Sequence, residues 1–153
     1  DGSMDLPDTA LKELDIVGAS VHSYFNLPRR EQTERLKKVM KNPHVDIVLH
    51  PTGRLINKRG PCDFDIDEIV ETAKKTGTVM EIDSFPDRLD LKDEYIKKCV
   101  ASGVKMAISS DAHHIHHFNY LEYGIAQARR GWAAKSDIIN AWPLLKMKSF
   151  LKK

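Results

Sequence analysis

Along this chain, short apolar runs alternate with longer segments whose apolar residues recur at helical spacing. "DIVGASVH" (Asp15 to His22) is apolar and β-branched before it breaks, and "VDIVLH" (Val45 to His50) is a second run of the same kind. "TVMEID" (Thr78 to Asp83) and "VKMAISS" (Val104 to Ser110) are a third and a fourth. Such short runs read as buried strands. Between them, "RREQTERLKKVMKN" places Leu36, Val39 and Met40 at helical spacing before Asn42-Pro43 stops it. In "DIDEIVETAKKTG", Ile66, Ile69, Val70 and Ala73 share a helix face and Gly77 sits at the C-cap. "LKDEYIKKCVASG" and "YLEYGIAQARRG" are the third and fourth helical segments, the latter ending at Gly131.

Strands alternating with helices of this length predict βαβ units and a mostly parallel sheet, so the fold class is α/β. Right-handed crossovers then put the C-terminal end of every strand on one edge, where ligands of such sheets bind. His22, His50, Glu81 with Asp83, and Asp111 with His113 all stand at strand ends. Four successive strands thus bring imidazole or carboxylate to one rim, and these are the groups that divalent metals prefer.

The residues differ in how strongly they point to chemistry. His50 precedes Pro51-Thr52-Gly53-Arg54, where proline fixes the exit and glycine permits a sharp turn, so a ligand role is favoured. His22 follows an apolar strand and is either a ligand or a hydrogen-bonded histidine at the barrel mouth. Asp111 and His113 form a D-x-H pair whose members point the same way if extended, which makes it the best local signal. His114, His116 and His117 then suit an exposed loop or helix start. Glu81 and Asp83 alternate with Met80 and Ile82, so they face the site together or not at all. The alternative for them is a structural carboxylate paired with Arg88. Arg54, Lys58 and Arg59 crowd one loop beside His50 and read as a solvated face or as phosphate contacts, with Arg54 best suited to bidentate binding.

Composition narrows the class. The 153 residues make one domain, 1–153, or a piece of one, and 41% hydrophobic with 30% charged residues supports a folded core over disorder. No apolar run approaches the roughly 20 residues of a membrane span, and the acidic start "DGSMDLPD" is no signal peptide. Cys62 and Cys99 lie far apart without C-x-x-C spacing, so they read as small core or loop residues in a reducing cytoplasm. A net charge of +2 neither demands nor excludes a nucleic-acid partner. Nucleotide-loop and serine-hydrolase motifs are absent. Trp132 and Trp142 are expected to pack the terminal helices.

Taken in order, "DGSMDLPD", "LDIVGASVHSYFN", "DIVLHPTGRLINKRGP", "MEIDSFPDRLDL", "MAISSDAHH" and "YGIAQARRGW" resemble the polymerase-and-histidinol-phosphatase (PHP) family. The likeness is greatest to the PHP domain at the C-terminus of bacterial and archaeal family X DNA polymerases. The resemblance implies a distorted, TIM-like (β/α)7 barrel with up to three divalent ions, zinc, manganese or similar, on its C-terminal rim. It implies hydrolysis of phosphoesters and, in family X, a metal-dependent 3′–5′ exonuclease that also removes 3′ blocking phosphates from DNA. By position, His22 matches "SVHS", His50 "HPTGR", and Asp111 with His113 "SDAH", which makes these four the implied metal ligands and catalytic groups. Glu81 matches the glutamate of a strand that usually reads "EIN". Asp83 replaces that asparagine, adding charge or a further ligand.

Relatives open with an H-x-H strand and further ligands that have no counterpart here. The chain is therefore expected to be the C-terminal portion of a PHP domain in a partial barrel. Its partners would be the N-terminal remainder of the barrel and a polymerase domain. Fewer ions, weak activity, and a homodimer through the open sheet edge are expected of the portion alone. Two other readings compete. One is a non-catalytic module that binds DNA or braces the polymerase through Arg54, Lys58, Arg59, Arg129 and Arg130. The other is a relative of the histidinol-phosphate phosphatases.

Overall fold

The computed structural model describes residues 2–151. Four strands, β1 (Gly18–Ser20), β2 (Ile47–Leu49), β3 (Val79–Asp83) and β4 (Met106–Ser109), form an all-parallel sheet in the order β1-β2-β3-β4. After a short first helix, α1 (Asp8–Leu11), one helix bridges each pair of strands. These are α2 (Arg29–Met40), α3 (Ile66–Thr76) and α4 (Asp93–Ser102), and α5 (Leu121–Arg130) follows β4. Sequential parallel strands joined by helices are the arrangement of part of a (β/α) barrel, and the expected α/β class is observed.

Side-chain alternation gives the sheet two unlike faces. Val48, Met80, Ile82 and Met106 point to one side. There they meet Leu36 and Met40 of α2, Ile69, Val70 and Ala73 of α3, Ile96 and Cys99 of α4, and Ala128 of α5. This is the main core, and burying it keeps α2, α3, α4 and α5 on one face. The opposite face carries Ile47, Val79, Glu81, Asp83 and Ala107. At its lower end Val79 and Ala107 pack with Ile139 and Leu151, brought there by α6 (Leu144–Phe150) and the turns before it. The upper end of that face is left to Glu81 and Asp83.

Helix ends follow the chemistry of their residues. The Asp65 side chain accepts hydrogen bonds from the Asp67 and Glu68 amides, and Gly77 ends α3 at φ +72°. At the outer edge of β4, Ile138 forms a parallel bridge to Met106. The Asn140 amide donates to the Ile108 carbonyl at 2.7 Å, and its oxygen accepts from the Ile108 amide at 3.1 Å. A side chain thus satisfies the groups a fifth strand would have taken. The outer edge of β1 has no strand partner among the described residues.

Two expectations are corrected. The Asp15–His22 run yields only three strand residues, partly because the Val17 amide bonds to the Asp46 carboxylate instead of a ladder carbonyl. Trp132 does not pack the terminal helices. It sits at φ +65° and is 74% exposed, with the Lys97 ammonium 4.7 Å above its ring. Trp142 behaves as expected and meets Phe150 of α6 edge-on.

Close approach of α5 to α4 depends on Gly131, where an added Cβ would lie 2.4 Å from Cβ of the fully buried Ile96. Gly131→Ala is therefore expected to cost about 1–3 kcal/mol as overpacking, read from urea unfolding. Unchanged stability would mean that the two helices are not held at this separation.

Candidate functional site

Glu81 lies in the middle of the sheet's upper rim. One carboxylate oxygen accepts the backbone amide of His50, at the tip of β2, and the other accepts the Ser109 hydroxyl, at the end of β4. One side chain on β3 therefore ties together the ends of three strands. His50 is buried and takes a left-handed backbone at φ +28°, while Asp111, just past β4, does the same at φ +48°. Non-glycine residues seldom adopt this region, and such strain gathers at functional sites. The His22 ring, from the end of β1, stands 5.6 Å from that of His50, centroid to centroid, and exchanges a 2.9 Å hydrogen bond with Ser20 Oγ. Three candidate sites from three strand ends are thus gathered on one rim, and Glu81 and Asp83 face it together.

Asp83 is fully buried. Its Oδ1 accepts the Phe85 amide at 2.7 Å, and its Oδ2 lies 3.4 Å from Arg88 Nε. The same Nε is 3.0 Å from Asp111 Oδ2. Arg88 therefore stands between the two carboxylates, and the ion-pair alternative for Asp83 is realised. Asp111 shares the pair. His113 is exposed, bound through Nδ1 to the Asp111 carbonyl at 2.6 Å and 3.9 Å from its carboxylate. His114 caps the 3-10 turn Ile115–Tyr120, and His117 stacks on Tyr120, which suits the helix-start reading.

The basic loop is drawn into the fold. Arg54 donates through Nε to the Arg88 carbonyl at 2.7 Å and through Nη2 to the Leu89 carbonyl. Arg59 donates to the Gly53 carbonyl and lies 3.6 Å over the Phe25 ring. Lys58 is exposed and pairs with Asp87 at 2.6 Å. Arg130 pairs with Asp93 at 3.4 Å. Asp90, fully buried, accepts both the amide and the hydroxyl of Thr52 at 2.9 Å. Asp90 and Ser109 carry no motif in the sequence that marks these contacts. The only signal for Asp90 was an acidic residue between two leucines.

Among the described residues, no group of three or more His, Cys, Asp or Glu side chains is placed to hold a metal ion. The donor chemistry suits a divalent cation, and His50 Nδ1 and Asp83 Oδ2 are buried without a hydrogen-bond partner. In this arrangement the Arg88 guanidinium stands between the Asp83 and Asp111 carboxylates.

No family model matches the chain. It is 42% identical over all 153 residues to the DNA polymerase/3'-5' exonuclease PolX of Bacillus subtilis (strain 168), and it spans 27% of that protein. It is 34% identical over 119 residues to a probable phosphatase of Acetivibrio thermocellus, covering 73% of this chain and 47% of the relative. A probable phosphatase of Thermoanaerobacter sp. (strain X514) is 30% identical over 161 residues, covering 99% of this chain and 63% of the relative. The chain thus spans less than two thirds of each of these relatives.

Burial sets the protonation of the rim. Glu81 and Asp83 are each pushed up to about 7, and Asp90 to about 6, chiefly because ionisation would put charge in a desolvated place. His50 is pushed down to about 4 by burial and then by the Arg88 charge, so its ring is neutral at pH 7. The three carboxyls hold protons in the fold at pH values where the unfolded chain has released them, so stability falls as pH rises towards 7. His50 acts in the opposite sense between its folded value near 4 and its unfolded value near 6.5, one group against three. The melting temperature is expected to fall by a few degrees between pH 5 and pH 7.5 and to level off above. A rise over that interval in calorimetry would show these carboxyls already ionised in the fold.

Proposed function

We propose that this chain, a PHP-type domain close to those of family X DNA polymerases, serves as a metal-dependent phosphoesterase in a longer protein and hydrolyses DNA phosphoesters at a 3′ end. The observation that carries the reading is the gathering of His22, His50 and Asp111, from the ends of three different strands, on the rim that Glu81 and Asp83 also face. The printed names of the relatives, a polymerase/exonuclease and probable phosphatases, agree with it.

His22, His50, Asp111 and His113 would hold a divalent cation, with Asp83 as a further oxygen donor. Bound there, such a cation supplies Lewis acidity towards phosphate oxygens and acidifies water. The chain's own part is preparation. Burial keeps His50 unprotonated, so a ring nitrogen stays available as a donor. Glu81 fixes the His50 backbone and thereby the direction of its ring, and Ser109 fixes Glu81 in turn. Lys58 pairs only at the surface with Asp87 and is free to exchange that partner for a phosphate, whereas Arg54 and Arg59 hold backbone carbonyls. The engagement of these arginines, and of Arg130 with Asp93, favours the enzyme over a module that binds DNA through its basic residues.

With manganese present, the full-length protein is expected to remove a 3′-phosphate from an oligonucleotide. Glu81→Gln should slow this by about 10–100-fold and Asp111→Asn by more. Undiminished hydrolysis in Asp111→Asn would end the proposal.

The free edge of β1 bears on partners. Beside it runs a groove of about 370 Å³ lined by Leu6, Leu14, Ile16 and Gly18. We assign self-association of the 153-residue chain to this edge. Sedimentation at rising concentration is expected to show a dimer. A monomer throughout would remove the edge from consideration.

A further inference from the structure

We propose that Arg88 is a built-in competitor for a divalent cation at this rim, one that holds Asp83 and Asp111 together until a cation displaces it. The inference rests on the reading of the rim as a cation site and goes beyond it in naming what guards that site.

Its basis is geometric. Arg88 Nε lies 3.0 Å from Asp111 Oδ2 and 3.4 Å from Asp83 Oδ2, so one atom serves both carboxylates. Asp83 is wholly enclosed, and only 17% of the Arg88 side chain is exposed, so water does little to screen the pair. Asp83 is buried and Asp111 only a quarter exposed, and among the described residues Arg88 sets a positive charge against both. A guanidinium and a divalent cation cannot share the place, because their repulsion at such range in a poorly solvated rim is large.

The fit of the arginine is incomplete, as suits a group that must leave. Its Nη1 is buried without a hydrogen-bond partner, and Asp83 Oδ2 has an ion-pair contact but no hydrogen bond. Its anchor, by contrast, is firm. Arg54 grips the carbonyls of Arg88 and Leu89, and the backbone of the same loop pairs with β3 through Asp83 and Asp90. A held backbone beneath a half-satisfied side chain lets the guanidinium swing away without unravelling the loop.

The test is manganese binding to the whole chain at neutral pH, followed by electron paramagnetic resonance of the free ion. Arg88→Gln is expected to bind at least about tenfold more tightly than the unaltered chain, while Arg88→Lys, which keeps the charge, stays near it. Equal or weaker binding by Arg88→Gln overturns the proposal, as does an absence of binding by every variant. Asp111→Asn separates the two levels. If it leaves affinity unchanged, the ion sits elsewhere and the cation-site reading itself fails. If it abolishes binding while Arg88→Gln gains nothing, only the competitor role fails. Should Arg88→Gln not fold, the unaltered protein decides: the Arg88 Nε–H resonance must move in step with added zinc, and a static resonance overturns the proposal.

Discussion

Everything at the rim hangs from the side chain of Glu81. It sits on the central strand β3, and its two oxygens reach a backbone amide at the tip of β2 and a hydroxyl at the end of β4. Parallel strands have no hairpin to fix their relative heights, so register must come from ladder bonds and side-chain ties. β1 and β2 are only three residues long, so their ladders are short. A buried carboxylate bonded across strands supplies what they lack. It also fixes His50, whose left-handed backbone would otherwise relax.

The cost appears in the protonation of the same groups. Glu81, Asp83 and Asp90 all hold protons more firmly than free carboxyls because burial penalises their charged forms. Two arginines offset this, and both come from loops above the strands. Arg88 meets Asp83 and Asp111 directly, whereas Arg54 opposes the rise at Asp90 by its charge and also holds the carbonyls of Arg88 and Leu89. A fold selected for stability alone would place apolar side chains here. On the proposed reading of the rim, three buried carboxyls and a neutral histidine on one edge prepare it for a ligand that brings positive charge.

Much of this was legible in the sequence, for reasons that particular residues make clear. The alternation of strand and helix segments predicted the parallel sheet, since Ile66, Ile69, Val70 and Ala73 can be buried together only on a helix, and all four are buried. Period-two alternation in "MEID" predicted that Glu81 and Asp83 would share a face, and they do. What could not be read was which charges would pair. Sequence alone suits Arg54 to a phosphate, because its proximity to His50 along the chain is the only guide there. In three dimensions the loop after β3 folds beside it and offers two carbonyls with unmet hydrogen-bonding capacity, and a guanidinium satisfies both. Nor does periodicity reach Ser109 or Asp90, whose parts depend on contacts 28 and 38 residues away in the chain.

The loop between β3 and α4 is therefore the element on which the rim's chemistry turns. It binds the β2 side through Asp90 and Thr52, binds the segment after β4 through Arg88 and Asp111, and is gripped from outside by Arg54. Candidate ligands come from β1, β2 and the segment after β4, but the charge that balances them comes from this loop. Ligand donors and counter-charge thus sit on separate pieces of chain. Such a division lets the balance shift by moving one side chain while the strand ends stay where Glu81 holds them. The Asp83 carboxylate strengthens the hold on Arg88, since an asparagine in its place would leave the guanidinium only Asp111 to face. That single exchange alters the electrostatics of the rim without altering its shape.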